Sequence, residues 1–414
     1  MKKNLFYLMA VVCASALFTA CSSDDNEAAI PAPDQPTKFT DAEGLTLSSN
    51  GTPLIGKSVT FTPDAKDRTK AVLTLEGAPL DITSMLGRAD EVVGFPTAGV
   101  LPGSPKTEIN ITLVPGANES KFSGNGETLY CTYAYSGVVT ETSLKFELSD
   151  IKLKNTTLAG TTWVPAAERP NDMGMVEGSV YVNWVSDATF DPGFPPQMFV
   201  TMVCSMGLIP MPTPENPDAV IDLNKALQLF LQKVKFTEDG NVIADYLDEE
   251  TMAPATSPVG IAQYVVTGDN SMLLFLNPAA IAADANKSKA DDDDDDNALI
   301  AELLKRIDME QLMGLAMNQY LPMLSNGIPV YFKESDDKSM TNMYVDTNFL
   351  LPLLKVAAPV FEDEAFVDEL VAKMLEGTDL GMFGAMASGV FKSIPAVVNG
   401  TSTIELGISM TKAE

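Results

Sequence analysis

Apolar and polar residues alternate with a period of two through the first third of the chain. Ser58-Val59-Thr60-Phe61-Thr62, Ala71-Val72-Leu73-Thr74-Leu75 and Glu108-Ile109-Asn110-Ile111-Thr112-Leu113 each place every second side chain on one face and break at Gly, Pro, Asn or Asp. That is the signature of half-buried strands. Leu129 to Tyr135, Val138 to Val139 and Ser143 to Leu153 follow at meander spacing, with Ser136-Gly137 read as a turn. Residues 38–157 are therefore expected to form an antiparallel β domain, a sandwich or a meander. Asp81 to Arg88 is the one hint of a helix in it.

The period changes after the polar break Lys154-Asn155-Thr156-Thr157. Asp222 can cap a helix whose apolar residues Leu223, Ala226, Leu227, Phe230, Leu231 and Val234 share one face. Lys233 to Phe236 and Val242 to Tyr246 flank an Asp239-Gly240 turn, and Gly260 to Val266 and Ser271 to Leu276 repeat the hairpin logic. A second helical run extends from Ala298 to about Leu324, interrupted near Gly314 and Pro322. Ile328 to Lys333 and Met343 to Val345 read as strands, Glu364 to Glu376 as a helix ending at Gly377, and Thr401 to Thr411 as a closing strand. The expected class is α+β: an N-terminal antiparallel β domain, then a larger α+β domain over residues 158–414 with helices packed on antiparallel hairpins.

Composition narrows the chemistry. Apolar residues at 45% and charged residues at 20% are ordinary for a folded chain. A histidine count of zero excludes Ser-His-Asp catalysis and the usual nitrogen ligand for transition metals. With 56 acidic against 27 basic residues the formal charge is -29, which repels phosphate backbones, so no nucleic acid partner is expected. No Walker, Rossmann or Cys-x-x-Cys pattern occurs, and no cofactor is expected.

The first twenty residues read as a secretion signal: Lys2 and Lys3, an apolar stretch from Leu5 to Phe18, then small residues. Leu17-Phe18-Thr19-Ala20-Cys21 resembles a lipobox, which implies lipidation of Cys21 and a membrane partner reached through that lipid. Residues 21–37, with Pro31, Pro33 and Pro36, form an expected flexible tether. The acidic stretch Ser22-Ser23-Asp24-Asp25-Asn26-Glu27 resembles the surface-export signal of Bacteroidetes lipoproteins. These features, the β-rich first half and the segment Val234-Lys235-Phe236-Thr237-Glu238-Asp239-Gly240-Asn241-Val242-Ile243-Ala244 together resemble the domain-of-unknown-function group DUF4925, lipoproteins of Bacteroides-type bacteria. The resemblance implies a lipid-anchored place in the bacterial outer membrane, facing the exterior, and brings no active site with it.

Several residues invite a chemical role. Six adjacent carboxylates, Asp291 to Asp296, offer hard oxygens for calcium, with Asp291, Asp293 and Asp295 as the alternating set. The acids are contiguous and no glycine precedes Asn297, so a self-repelling surface loop over residues 287–297 is the stronger reading, and no metal is expected. Asp346 and Asp245 are the acids best placed for an altered pKa, against salt-bridged or hairpin-edge roles. Met309, Met313 and Met317 repeat at four-residue spacing, and Met386 sits with Phe383 in a glycine-rich stretch. Flexible thioethers line surfaces for variable apolar guests or simply fill core, and Met313, Met317, Phe383 and Met386 are the candidate ligand-binding set. Trp163, Trp184, Tyr133 and Tyr135 would serve a glycan if exposed. Cys131 and Cys204 are expected as buried free thiols. The leading functional expectation is a non-catalytic binding module for an apolar ligand or a glycan. A structural or adhesion component, a carboxylate-dependent glycoside hydrolase and a lipid-transfer-like sheet around a helix remain as alternatives.

Overall fold

The computed structural model describes residues 30–81, 94–170, 176–207, 209–211, 219–248, 251–285, 303, 305–335, 338–375 and 381–413. The alternating segments of the first third become a two-sheet sandwich. One sheet joins β1 (Thr37–Thr40), β4 (Lys57–Pro63), β5 (Lys70–Gly77) and β6 (Lys106–Thr112) in the order β1-β4-β5-β6. The other contains β2 (Leu45–Ser49), β3 (Thr52–Pro53), β7 (Val114–Pro115), β8 (Ser120–Glu127), β9 (Cys131–Val139) and β10 (Leu144–Leu153) in the order β3-β2-β10-β9-β8-β7. Pairing is antiparallel except between β2 and β10, which run parallel, Leu45 beside Leu144 and Leu47 beside Phe146.

The predicted period of two is what fills the sandwich. Val59, Phe61, Leu73, Leu75, Ile109 and Ile111 of one sheet meet Phe122, Tyr133, Tyr135, Phe146 and Leu148 of the other in one buried cluster. Burying each such side chain contributes about 1.5–3 kcal/mol. Ser136 and Gly137 are not a turn: β9 runs straight through them to Val139. Gly137 faces Phe122 across the ladder, and Gly124 and Gly126 face Tyr135 and Tyr133. A Cβ at any of the three would collide with the aromatic ring lying on it, so glycine here lets rings cover the neighbouring strand.

The remainder of the chain builds a ten-stranded curled sheet. It uses β11 (Thr161–Pro165), β12 (Val180–Ser186), β13 (Leu231–Phe236), β14 (Val242–Leu247), β15 (Pro254–Thr256), β16 (Ala262–Gly268), β17 (Ser271–Leu276), β18 (Ile328–Glu334), β19 (Thr341–Val345) and β20 (Thr401–Lys412). The order is β15-β14-β13-β11-β20-β19-β18-β17-β16, and β12 adds to β20 beside β11. The two ends of the curl meet: Asn241 at the start of β14 bridges Gln263 of β16, and the Tyr264 N–H donates to Gly240 O at 2.8 Å. Alternate positions point inward. Val266 pairs with Met272 and Met272 with Val330; Phe332, two residues further along the same strand, pairs with Met343 and Met343 with Ile408, and Phe236 meets Tyr264 across the curl, ring centroids 4.9 Å apart. All belong to or pack on the cluster that also fills the sandwich, so the interior of the curl is packed core.

The sandwich docks against the strands that close the curl. Gln263 Nε2 donates to Val100 O at 3.4 Å, the Leu153 N–H to Glu238 O at 3.3 Å and Asn277 Nδ2 to Ile55 O at 3.0 Å. The loop that carries Val100 is tied to the sandwich by Lys57, which is 3% exposed and whose Nζ donates to Ala98 O and Gly99 O, both at 2.9 Å.

The expectation of an α+β fold is overturned. Strands occupy 44% of the described residues and helices 26%, and the second part is a large curled antiparallel sheet with short helices, not helices laid over hairpins. Two physical reasons account for the error. The interior of the curl is filled by its own strand side chains, so the sheet does not need helices to bury it. Apolar runs with helical spacing also divide: α2 (Leu223–Phe230), which follows α1 (Pro196–Cys204), ends at Phe230, and Leu231 opens β13, so Val234 is a strand residue paired with Trp163 and Ala244. From Met309 on, the run expected from Ala298 divides too, into α3 (Met309–Leu315), a π turn over Ala316–Tyr320 and α4 (Leu321–Asn326), with Pro322 in the first turn of α4.

Helices α5 (Thr347–Ala357), α6 (Glu364–Leu375) and α7 (Gly381–Asn399) form a satellite core, with Phe361 stacked on Phe391 at 5.7 Å and Val367, Val371 and Ala387 buried. No described helix is long and apolar enough to cross a membrane. The expected helix at Asp81–Arg88 falls almost wholly outside the described residues, which stop at Asp81.

Candidate functional site

Among the described residues strand β12 is an edge strand, with β20 as its one sheet partner. The Ser409 N–H donates to Ser179 O at 2.8 Å, so in the antiparallel ladder Ser179, Tyr181 and Asn183 turn their backbone groups toward β20 and Val180, Val182 and Trp184 turn theirs outward. Side-chain amides meet two of these three outward positions. The Val180 N–H donates to Asn224 Oδ1 at 3.0 Å and the Trp184 N–H to Gln197 Oε1 at 2.9 Å. Gln197 lies in the first turn of α1. Asn224 is 2% exposed and also donates Nδ2 to Cys204 O at 3.2 Å. Capping of this kind protects a sheet edge from pairing with another chain.

Beside that edge lies a cleft of about 760 Å³. Lys333, Asn342 and Ser409 form part of its floor, where Ser409 Oγ donates to Asn342 Oδ1 at 2.8 Å. Gln197 and Thr201 of α1 form one wall, and Arg169 and Glu177 of a short hairpin form another. Arg169 donates to Ser339 Oγ at 2.8 Å. The ionic side chains of the lining balance in sign, Arg169 and Lys333 against Glu177 and Glu334.

A row of tyrosines adjoins the cleft. Tyr331 pairs with Tyr344, Tyr344 with Gly407, and Gly407 with Tyr181, so the row crosses four strands. Gly407 contributes no side chain, and the rings of Tyr344 and Tyr181 meet over it with centroids 5.3 Å apart; Tyr331 and Tyr344 lie at 5.9 Å. Tyr181 Oη donates to Glu405 Oε2 at 2.7 Å, as does Asn183 Nδ2 at 3.0 Å. Burial, reinforced by Glu405, pushes the Tyr181 phenol well above the usual range, so it stays a neutral donor.

Four carboxylates outside the cleft lining serve structure. Asp222 caps α2, accepting from the Lys225 N–H at 2.9 Å and from Lys225 Nζ at 2.7 Å, while Glu168 lies 3.5 Å from the same ammonium. Burial and then the neighbouring Asp222 raise the Glu168 carboxyl above its ordinary value; burial also opposes ionisation of Asp222, but the hydrogen bonds of Lys225 hold it low. Asp245 pairs with Lys233 at 3.0 Å and accepts from Thr256, which lowers its carboxyl, and Asp346 caps α5 by accepting from the Phe349 N–H at 3.2 Å.

The residues singled out from sequence fall elsewhere. Met313 lies in α3, Met317 in the π turn and Met386 in α7, each half-buried, and α5 packs against both α3 and α7. The backbone of Phe383 belongs to α7, and its side chain lies outside the described residues. Met313, Met317 and Met386 do not line the cleft. Cys21 and Asp291, Asp293 and Asp295 also lie outside the described residues. Tyr133 and Tyr135 point into the sandwich, Trp163 is buried with Nε1 donating to Thr161 Oγ1, and Trp184 packs edge-on against Phe190. Cys131 and Cys204 are buried free thiols, and burial raises both. Tyr181, Tyr331, Tyr344, Gln197, Asn224 and Asn342 were missed. The signal of the strand members was alternation, as in Tyr181-Val182-Asn183 and Asn342-Met343-Tyr344, which puts the polar members on one face without saying which strands adjoin; Gln197 and Asn224 lie on helices and carried no such signal.

Comparison with protein-family models, with curated proteins and with solved structures gave no match to this chain.

Proposed function

We propose that the protein is a lipid-anchored, non-catalytic binding module of the bacterial outer membrane, facing the exterior, and that its cleft takes a neutral carbohydrate. The observation that carries this reading is the lining: amide, hydroxyl, phenol and charge-balanced side chains around a volume large enough for a short oligosaccharide. Hydroxyl-rich ligands need many donors and acceptors at once, which Gln197, Thr201, Asn342 and Ser409 supply. An apolar guest would bury the hydrogen-bonding capacity these side chains have left beyond their bonds to one another and to Trp184, at about 1–3 kcal/mol for each donor or acceptor stranded. The excess of acidic residues disfavours anionic glycans. The leader and Cys21 support the anchor, and the acidic stretch after Cys21 supports the outward orientation.

The test is a glycan array probed with the mature chain, followed by calorimetric titration of the best oligosaccharide. Selective binding that weakens in Asn342→Ala is expected, and a featureless array overturns the proposal. Mass analysis of the N-terminal peptide checks the anchor: a diacylglyceryl thioether on Cys21 is expected, and a bare thiol contradicts it.

A further inference from the structure

We infer that the backbone N–H and C=O of Val182 hold a vicinal diol of the bound sugar; this deepens the carbohydrate reading and rests on it. Val182 lines the cleft. By the register with β20 its two backbone groups point to the free edge, on the same side as those of Val180 and Trp184. Asn224 takes the Val180 N–H and Gln197 takes the Trp184 N–H, so of the three outward N–H groups that of Val182 is the one left to a ligand.

That opening selects the ligand. An added peptide strand uses both the N–H and the C=O at successive outward positions, and here the N–H groups on either side of Val182 are already taken by amide side chains. A carboxylate only accepts and would leave the Val182 C=O unmet; an ammonium only donates and would leave the N–H unmet. A trans amide points its own N–H and C=O in opposite directions and reaches only one of the two. Two hydroxyls on neighbouring ring carbons meet both: one accepts from the Val182 N–H, and the other donates to the Val182 C=O. Tyr181, Asn342 and Ser409 then flank the same ring from the floor of the cleft.

The test uses Val182→Pro, which deletes the outward N–H. Proline is tolerated on an edge strand where the N–H faces away from the sheet, and the ladder to β20 runs through Tyr181 and Asn183. The array-selected oligosaccharide and its monodeoxy analogues are titrated calorimetrically against the wild-type chain and this variant. Val182→Pro is expected to weaken the parent sugar about tenfold. One monodeoxy analogue should lose about as much on the wild type and little more on the variant. If Val182→Pro binds the parent sugar as tightly as the wild type, the inference falls while the carbohydrate reading stands; if no sugar binds the wild type, both fall. Should the variant fail to fold, the deoxy series on the wild type decides, and retention of full affinity by every monodeoxy analogue overturns the inference.

Discussion

Lys57 is an ammonium enclosed where the sandwich meets the loop that reaches the curled sheet, and replacing it by methionine tests how that junction is held. Burial drives its pKa from 10.5 down to about 8, and Asp41 offsets only part of this. The gap between folded and unfolded values corresponds to about 3 kcal/mol. The unfolded chain binds the extra proton between pH 8 and pH 10.5, so this group makes the fold more stable as pH rises through that window. Below pH 8 both states are charged and the full desolvation cost is present. Lys57→Met removes that cost but leaves the carbonyls of Ala98 and Gly99 without their donor, a loss of about 1–3 kcal/mol each. The two effects nearly cancel at pH 7, where the variant is expected within about 2 kcal/mol of the wild type. At pH 10 the wild type has gained about 2–3 kcal/mol that the variant has not. Urea unfolding of both proteins at pH 7, 8, 9 and 10 gives the difference directly. Buried tyrosines titrate alike in both and drop out of it. A difference that stays flat across this range would refute the reasoning.

Three other outcomes follow from the packing. Tyr264 is fully buried and its hydroxyl donates to Thr237 O at 3.0 Å; Tyr264→Phe should cost about 1 kcal/mol and Tyr264→Ala about 3–5 kcal/mol in urea unfolding. Asn224→Ala uncaps the Val180 N–H and the Cys204 carbonyl, so a loss of about 1–3 kcal/mol is expected together with faster hydrogen exchange at Val180. Burial raises the thiols of Cys131 and Cys204 and keeps them as thiols, so both should resist a thiol reagent at pH 8 until the chain is unfolded in urea.

The local elements were legible because their signals are local. The sandwich strands could be read from the alternation of Val59, Phe61, Leu73 and Leu75, and the hairpin at Asp239-Gly240 from its turn residues. Long-range placement was not legible. Nothing in the sequence says that Thr401–Lys412 pairs with β11, β12 and β19, from three separate stretches of chain, yet this strand assembles the tyrosine row and the cleft floor. The Met-rich stretch drew attention by spacing, whereas the cleft is built from amides and hydroxyls scattered between Arg169 and Ser409. A side chain such as Gln197 joins the cleft only once α1 lies along the edge of β12 and its amide meets Trp184.

The claim that a sugar occupies the cleft is tested most directly by a crystal structure of the mature chain with the oligosaccharide selected on the array. Density for a sugar ring between Gln197, Tyr181 and Asn342, with two adjacent hydroxyls against Val182, is the predicted result. A sugar seated elsewhere on the molecule, with the cleft unchanged, would contradict it.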